Sequence, residues 1–408
     1  MGLVAGGGLA INMRTRGGTR VSIFRKEREF DELFNQHGQR LEWLDPAEFF
    51  LNDLRTAARQ WCAHICATEY APDRQEIYLD LLDNPAVNAY ATIQTYDFIA
   101  INRGSVDTLL GVFGQLLSHP SSWSHVGDAK LEQEERAVGP NFFHPGPHTK
   151  LGHIVPLCAQ RQHFTVNLTT LAFHFLVMHE IGHLRNGHLD MLQKLGVQGL
   201  AEISSLRLEP PVDPLLRQAL EIDADAYAAS RAIEFAIQRT CIDPGAPVPA
   251  AEAFGQAYGG DARALHTLAY AVYVFFRIFV HNDPAPESFD TSRHPPSWIR
   301  LRCIFDNFCA VVDELTGGRV SQEAFCDYAF EAIVDAEESI ARISSRPVDL
   351  SWAMAAFDPD SSHLAATGYL GRVSVEWAAI HRELELWTRE RCRGAEGDLP
   401  GDLRERRS

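Results

Sequence analysis

Basic residues are scarce in this chain. Its 408 residues include 37 lysines and arginines against 54 aspartates and glutamates, which gives a formal net charge of −17 at pH 7. Binding to nucleic acid or to an acidic membrane surface needs a clustered basic face. The deficit of positive charge therefore argues against a nucleic-acid partner.

Cysteines are also few and dispersed. The eight cysteines include no C-x-x-C pair and no dense framework that would indicate a disulfide-stapled fold. Residues 1–10 lack the basic and apolar regions of a secretory signal. These features are typical of a reducing compartment, and we expect a cytoplasmic protein.

Long hydrophobic runs are almost missing. Residues 264–280 (ALHTLAYAVYVFFRIFV) are nearly all apolar, but this run contains His266 and Arg277. Seventeen residues lie at the lower edge of the length that spans a bilayer. We interpret the segment as a buried core helix, and we expect no membrane partner.

One motif with a chemical meaning is present. His179-Glu180-Ile181-Gly182-His183 is an HExxH sequence inside a segment of helical character, residues 171–192. On a helix, positions i and i+4 share a face, so the two imidazoles can bind one Zn²⁺ while Glu180 acts on its water. The alternative is a helix that merely carries a polar patch.

Two carboxylates at the same spacing follow 38 residues after His183. Glu221 and Asp225 lie on a predicted helix that begins at Asp213-Pro214, a capping residue followed by a proline suited to the first helical position. A zinc site of two histidines and one glutamate leaves its fourth position for water, and a further carboxylate can orient a ligand histidine. A solvated acidic face is the alternative, which the surrounding small residues make less attractive. These are Ala224, Ala226, Ala228 and Ala229.

His188 does not fit as a third histidine ligand. The extended pattern HExxHxxGxxH requires glycine at 186 and histidine at 189, where this chain has Asn186 and Leu189. His188 follows His183 by five residues and is therefore rotated off the ligand face of a continuous helix. We expect it to cap or pack near Gly187.

The motifs together resemble a known family. HEIGHLRNGH, followed by a helix with the pattern E-x-x-A-D, is similar to the gluzincin metallopeptidases that include the CAAX prenyl proteases and the heat-shock protease HtpX. Residues 88–90 and 99–104 resemble that family's segment and edge strand ahead of the motif helix. His294-Pro295-Pro296-Ser297, with Arg300 six residues after the histidine, resembles its HPP(S/T)xxR element.

The resemblance implies a role for each matching residue. It implies zinc ligands at His179, His183 and Glu221, with Glu180 as the general base. It also implies that Asp225 orients a ligand, that His294 lies near the oxyanion, and that Arg300 braces the acidic side chains. Tyr227 is a weaker choice for the oxyanion. The matches cover about a hundred residues.

This chain departs from the family's membrane branch, whose members have several spanning helices. Prenylated or membrane-embedded substrates are therefore disfavoured. Compact soluble gluzincins and the phage-exclusion peptidase Lit, which has the HExxH motif, are closer in general character.

The pattern along the chain predicts a mainly α protein with a small β-sheet (α+β class), built as a zincin-like core with helical additions at both ends. Residues 89–102 are the clearest strand material, and the strand could pair with an extended peptide substrate. The expected divisions are an N-terminal helical region at 1–80, an edge strand of the core within 81–104, a loop-rich insertion or flap at 105–165, the metallopeptidase core at 166–302, a C-terminal helical region at 303–392 and a disordered tail at 393–408.

The leading hypothesis is a zinc-dependent endopeptidase that acts on a soluble protein or peptide, with one Zn²⁺ per chain. Two alternatives stay open. One is a zinc hydrolase of a non-peptide amide or ester, because HExxH determines the chemistry better than the substrate. The other is a non-catalytic scaffold for partner binding, which the intact Glu180 disfavours.

Overall fold

The fold is described from a computed structural model of the chain. It describes residues 20–42, 49–71, 76–137, 154–196, 200–201, 212–239, 248–279, 286–345, 347–351, 354, 368–385 and 387–388.

Helices make up most of the described chain. They are α1 (Arg20–Phe34), α2 (Phe49–Thr68), α3 (Arg103–Leu117), α4 (Glu134–Ala137), α5 (Ala159–Arg185), α6 (His188–Lys194), α7 (Pro214–Gln238), α8 (Val248–Tyr258), α9 (Asp261–Phe279), α10 (Ser297–Thr316), α11 (Gln322–Ser344) and α12 (Tyr369–Leu384). Short 3-10 helices span Ala129–Leu131 and Pro286–Thr291. The strands are β1 (Ile77–Leu82), β2 (Ala89–Ile93), β3 (Asp97–Asn102) and β4 (Leu200–Ala201). The predicted mainly helical α+β class is confirmed.

The four strands form one mixed sheet in the order β1-β3-β2-β4. β1 pairs with β3 in parallel, and β2 pairs antiparallel with both β3 and β4. Successive side chains of β3 point to opposite faces of the sheet and join two different cores. Phe98 and Ala100 pack toward α1, whereas Ile99 and Ile101 join the main core. The sheet is therefore covered by apolar side chains on both faces.

The strand prediction needs a correction. Residues 89–102 form a hairpin of two strands, closed by a hydrogen bond from the Gln94 amide to the Tyr96 carbonyl (2.9 Å). β3 lies in the interior of the sheet between β1 and β2. The interpretation of this segment as a single edge strand was wrong, and the backbone of β3 is already paired on both sides.

The range expected to be a loop-rich insertion begins instead with the buried helix α3, whose apolar residues Val112, Phe113 and Leu116 join the main core. The turns that follow are held by Arg161, the third residue of α5. Its buried guanidinium donates hydrogen bonds to the carbonyls of Leu117, His119, Ser122, Trp123 and Val126. Residues 138–153 of this range and the tail at 393–408 lie outside the described residues.

Helix α5 lies at the centre of the molecule, and all residues from Leu171 to Leu184 are buried. A helix that is apolar around most of its circumference is expected only where other elements cover every side. Helices α3, α7, α8 and α9 pack against it. The HExxH motif occupies its last two turns, so the motif lies deep in the molecule.

Helix α7 begins as predicted at Asp213-Pro214. The Asp213 side chain accepts a hydrogen bond from the Leu215 amide (2.9 Å), and Pro214 occupies the first turn. Residues 264–279 of the long apolar run lie in α9, and the side chains from Leu268 to Phe276 are buried. In the described part of the chain, no helix is both long and apolar enough to cross a membrane.

Candidate metal centre

The two motif histidines face each other at the end of α5. Both side chains are buried, and the Nε2 atoms of His179 and His183 lie 3.0 Å apart. The spacing of four residues on one helix produces this convergence, as the sequence predicts. Burial lowers the pKa of His183 well below its ordinary value, against the opposing effect of Glu221. A neutral imidazole with a free nitrogen is the form that binds a metal.

Glu221 reaches the same point from α7. Its Oε2 lies 3.5 Å from Nε2 of His179, and its Oε1 lies 3.6 Å from Nε2 of His183. Burial acts to raise the pKa of Glu221, but contacts with His179 and His294 lower it well below its ordinary value. The carboxyl group is therefore held in its anionic form.

These three residues could hold a metal ion. Their ligand atoms all lie within 4.8 Å of one another, and all three side chains are buried. Two imidazoles and one carboxylate are a donor set that suits zinc. Glu221 Oε2 is buried without a hydrogen-bond partner among the described residues, which is the condition of an acceptor that a cation would satisfy. The residues therefore fit the group that the sequence predicts.

Asp225 contacts His179 from the other side of its imidazole ring. The Asp225 Oδ1 atom lies 2.9 Å from His179 Nδ1, on the side of the ring that faces away from Glu221 and His183. Arg300 on α10 donates two hydrogen bonds to the same carboxylate, from Nε (2.7 Å) and Nη2 (2.9 Å). Its Nη2 also lies 3.7 Å from Glu221 Oε2. The structure thus brings Asp225 and Arg300 to the residues that could hold a metal ion.

His183 has a corresponding partner that the sequence did not predict. His188 is fully buried, and its Nδ1 lies 3.0 Å from Nδ1 of His183. His188 Nε2 lies 2.9 Å from Asp223, which also accepts hydrogen bonds from Asn186 (2.7 Å) and from the Trp377 indole (2.9 Å). Burial acts to raise the pKa of Asp223, but these partners, His188 first, lower it below its ordinary value.

The break between α5 and α6 explains this contact. Gly187 has a φ of 80°, a left-handed conformation that favours glycine, and α6 starts directly after it. The change of direction returns His188 to the imidazole of His183, which a continuous helix would not do. The Asn186-Gly187 pair after the motif is the sequence signal of this turn.

The other candidates, Glu180, His294 and Tyr227, lie in different surroundings. Glu180 is buried on α5 between the two histidines. His294 is the more accessible of the two, with a side chain 30 % exposed and its Nδ1 3.6 Å from Glu221 Oε2. The hydroxyl of Tyr227 instead donates to Glu69 (3.2 Å) in a cluster with Arg185 and Arg231, so this tyrosine is committed elsewhere.

Comparison with known proteins shows a similarity to a protein family over part of the chain. No curated protein and no solved structure matches the chain. The family model Peptidase U49 matches residues 128–316, a span that contains α5, α7 and α10 and thus every residue of the cluster from His179 to Arg300. The match does not test the metal or the resemblance to CAAX proteases, which stay predictions. Over this span the chain is similar to a peptidase family, and the similarity supports a peptidase.

Proposed function

We propose that this chain is a zinc-dependent endopeptidase that hydrolyses peptide bonds of a soluble protein or peptide. The observation that carries the proposal is the buried cluster of His179, His183 and Glu221, whose ligand atoms lie within 4.8 Å of one another. The similarity to a peptidase family over the span that contains the cluster supports the same reaction class.

In this proposal His179, His183 and Glu221 hold the metal. When bound, Zn²⁺ in such a site lowers the pKa of a water ligand and polarises the carbonyl group that is attacked. The chain's contribution is to keep both Nε2 atoms free of protons, which the partners on the Nδ1 atoms of His179 and His183 accomplish.

Glu180 is the proposed general base. It accepts a proton from the attacking water and later donates this proton to the leaving amine. Its side chain is 1 % exposed, so bulk water does not screen its interactions with the reacting groups.

His294 is the proposed donor to the oxyanion of the tetrahedral intermediate. It combines contact with Glu221 with partial exposure, which is the position expected of a residue between the buried cluster and an incoming peptide. Asp225 and Arg300 are positioning residues, because they contact the metal ligands rather than the substrate.

The experiment that tests this function compares wild type with Glu180→Gln. We expect the variant to keep its fold and about one zinc per chain, and to lose cleavage by a factor of about 100 to 10,000, the usual contribution of a general base. Cleavage fragments in a cell extract treated with each protein provide the measurement. Glu331→Gln, at an exposed position of α11, is the control that should retain both zinc and cleavage.

The same extracts separate the alternatives. Chelator-sensitive fragments that are absent with Glu180→Gln support the endopeptidase. A protein that binds zinc and produces no fragments, but hydrolyses small amides or esters, would contradict peptide specificity. Identical effects of wild type and Glu180→Gln in every assay would contradict catalysis and favour the scaffold.

A further inference from the structure

A chain of hydrogen bonds runs outward from His183 to the C-terminal helix. His183 Nδ1 meets His188 Nδ1 (3.0 Å), His188 Nε2 meets Asp223 Oδ2 (2.9 Å), and the Trp377 indole donates to Asp223 Oδ1 (2.9 Å). The metal-facing atom of His183, Nε2, lies at the opposite side of its ring. Each of these contacts therefore affects the orientation of His183 without touching the position that a metal would occupy.

The direction of each hydrogen bond follows from the last acceptor. Because the Asp223 carboxylate can only accept, the proton of a neutral His188 lies on Nε2. Its Nδ1 is then an acceptor, so His183 must donate from Nδ1 and present a bare Nε2 to Glu221 and the metal position. This series of hydrogen bonds thus selects the tautomer of His183 that can bind a metal.

The outermost residue of this hydrogen-bond series, Trp377, lies beyond the span that the family model matches. Trp377 lies on α12, about sixty residues past the last matched position, 316. The same part of the chain contacts the junction of α5 and α6 at two further points and the end of α6 at a third. Thr388 Oγ1 donates to the Arg185 carbonyl (3.1 Å), Lys194 pairs with Glu383 (2.7 Å), and Trp387 packs directly on Gly187.

We propose that His188 is a positioning residue for His183, and that helix α12 holds His188 in place through Trp377 and Asp223. The inference rests on the proposed function in one respect only, that His183 is a metal ligand. It adds that the metal site is incomplete without a helix outside the span that resembles the peptidase family.

The first test compares two nearly isosteric substitutions of His188 in the full-length protein. His188→Leu removes the acceptor for the His183 N–H, and we expect the dissociation constant for Zn²⁺ to rise about 10- to 100-fold, as for other outer partners of metal ligands. His188→Asn places an oxygen acceptor near the position of Nδ1, and it should recover a large part of this loss. Competition with a calibrated chelator measures both constants.

The second test changes Trp377, the outermost residue of the hydrogen-bond series, where a substitution leaves the core intact. Trp377→Phe removes the indole donor and should raise the dissociation constant for Zn²⁺ by about threefold, less than the direct partner does. Val375→Ala is the matched control, because Val375 lies on the same helix as Trp377 and is 68 % exposed. It should retain wild-type affinity.

The visible spectrum of the Co²⁺-substituted proteins provides a second readout, because it reports ligand geometry. We expect it to change in His188→Leu and to return toward wild type in His188→Asn. If wild type binds Zn²⁺ and His188→Leu binds it equally well, or His188→Asn recovers nothing, the positioning role is wrong while the proposed function stands. If wild type itself binds no Zn²⁺, both fail.

Discussion

Two carboxylates are buried next to each other in the candidate site, and the positive charge of Arg300 offsets the free-energy cost of burying them. Glu221 and Asp225 are 3 % and 0 % exposed. Buried charges of like sign are costly unless they are paired and hydrogen-bonded. The Arg300 guanidinium forms a two-pronged contact with Asp225, approaches Glu221, and lies 5.1 Å from the Phe276 ring centroid. One cation thus links the Glu221 carboxylate to the Asp225 carboxylate.

Another histidine of α5, His174, should contribute to the pH dependence of stability. His174 stacks on Phe235 at 4.1 Å and meets the edge of Trp61, and burial, aided by Arg239 and Arg231, lowers its pKa to about 3. Between this value and its ordinary pKa, the unfolded chain binds a proton that the folded protein does not. Stability therefore falls as the pH is lowered from about 6.5 toward 3, by at most about 1.4 kcal/mol per pH unit for this one group.

We predict that His174→Phe, which keeps an aromatic ring in the stack, reduces this slope. Urea unfolding at pH 7, 6 and 5, with chelator present so that metal binding does not contribute, measures the free energy of unfolding. His381 stacks on Trp377 but is 48 % exposed, so His381→Phe is the control that should leave the slope unchanged. Equal slopes for wild type and His174→Phe would show that His174 is protonated in the folded protein.

The proximity of side chains can be predicted where one helix or a local motif places them. The HExxH spacing and the i, i+4 carboxylates depend only on helical geometry, and the structure brings all four side chains together. His188 and Asp223 were missed because their contact depends on the turn at Gly187, which breaks the helical phase. Tyr227 was a poor choice because its partner, Glu69, comes from a distant helix that sequence spacing does not place.

The candidate site depends on the close packing of helix α5 against helix α7. Gly182 lies in the motif, and a Cβ there would be 3.1 Å from Ala224 Cα and 3.2 Å from its carbonyl oxygen. Ala224 is flanked on α7 by Asp223 and Asp225, so this contact sets the distance between the histidines and the carboxylates. Small residues on both helices allow the backbones to approach, as the alanine-rich pattern around Asp225 indicates.

Gly182→Ala should therefore damage the site even though alanine favours helix by about 1 kcal/mol. Because the obstructing atoms are backbone, the helices must separate by a few tenths of an ångström, and overpacking of this kind costs about 1 to 3 kcal/mol. We expect a lower melting temperature and weaker Zn²⁺ binding, measured by thermal unfolding and chelator competition.

Gly371→Ala on α12 is the matched control. A Cβ at this exposed helical position would meet no atom within 4 Å in the described part of the chain. The change should leave Zn²⁺ affinity untouched and leave the melting temperature equal or higher. A similar rise in melting temperature for Gly182→Ala would show that the two helices are not in tight contact at the motif.

The sheet shows where element prediction failed. Both halves of 89–102 are apolar and strand-forming, and the turn between them, Gln94 to Tyr96, contains no glycine, proline or asparagine to mark it. The pattern therefore reads as one long strand. Its interior position depends on pairing with β1 and β2, which is information about tertiary contacts.

At the scale of the whole molecule, the span that resembles the peptidase family does not form a closed core by itself. β1 to β3, α11 and α12 all lie outside residues 128–316. Glu337 on α11 accepts hydrogen bonds from Tyr273 (2.6 Å) and Arg277 (2.7 Å) of α9, and Tyr369 on α12 is buried against Phe289. The helical additions expected from the sequence therefore complete the packing around the site.

The central claim is that His179, His183 and Glu221 bind one Zn²⁺, and anomalous diffraction tests it most directly. Crystals of the full-length protein grown with Zn²⁺ should give one anomalous peak per chain at the zinc absorption edge. We predict that it lies about 2.0 to 2.2 Å from Nε2 of both histidines and from a Glu221 oxygen. Crystals without a peak at this position, or with zinc bound only elsewhere, would contradict the account.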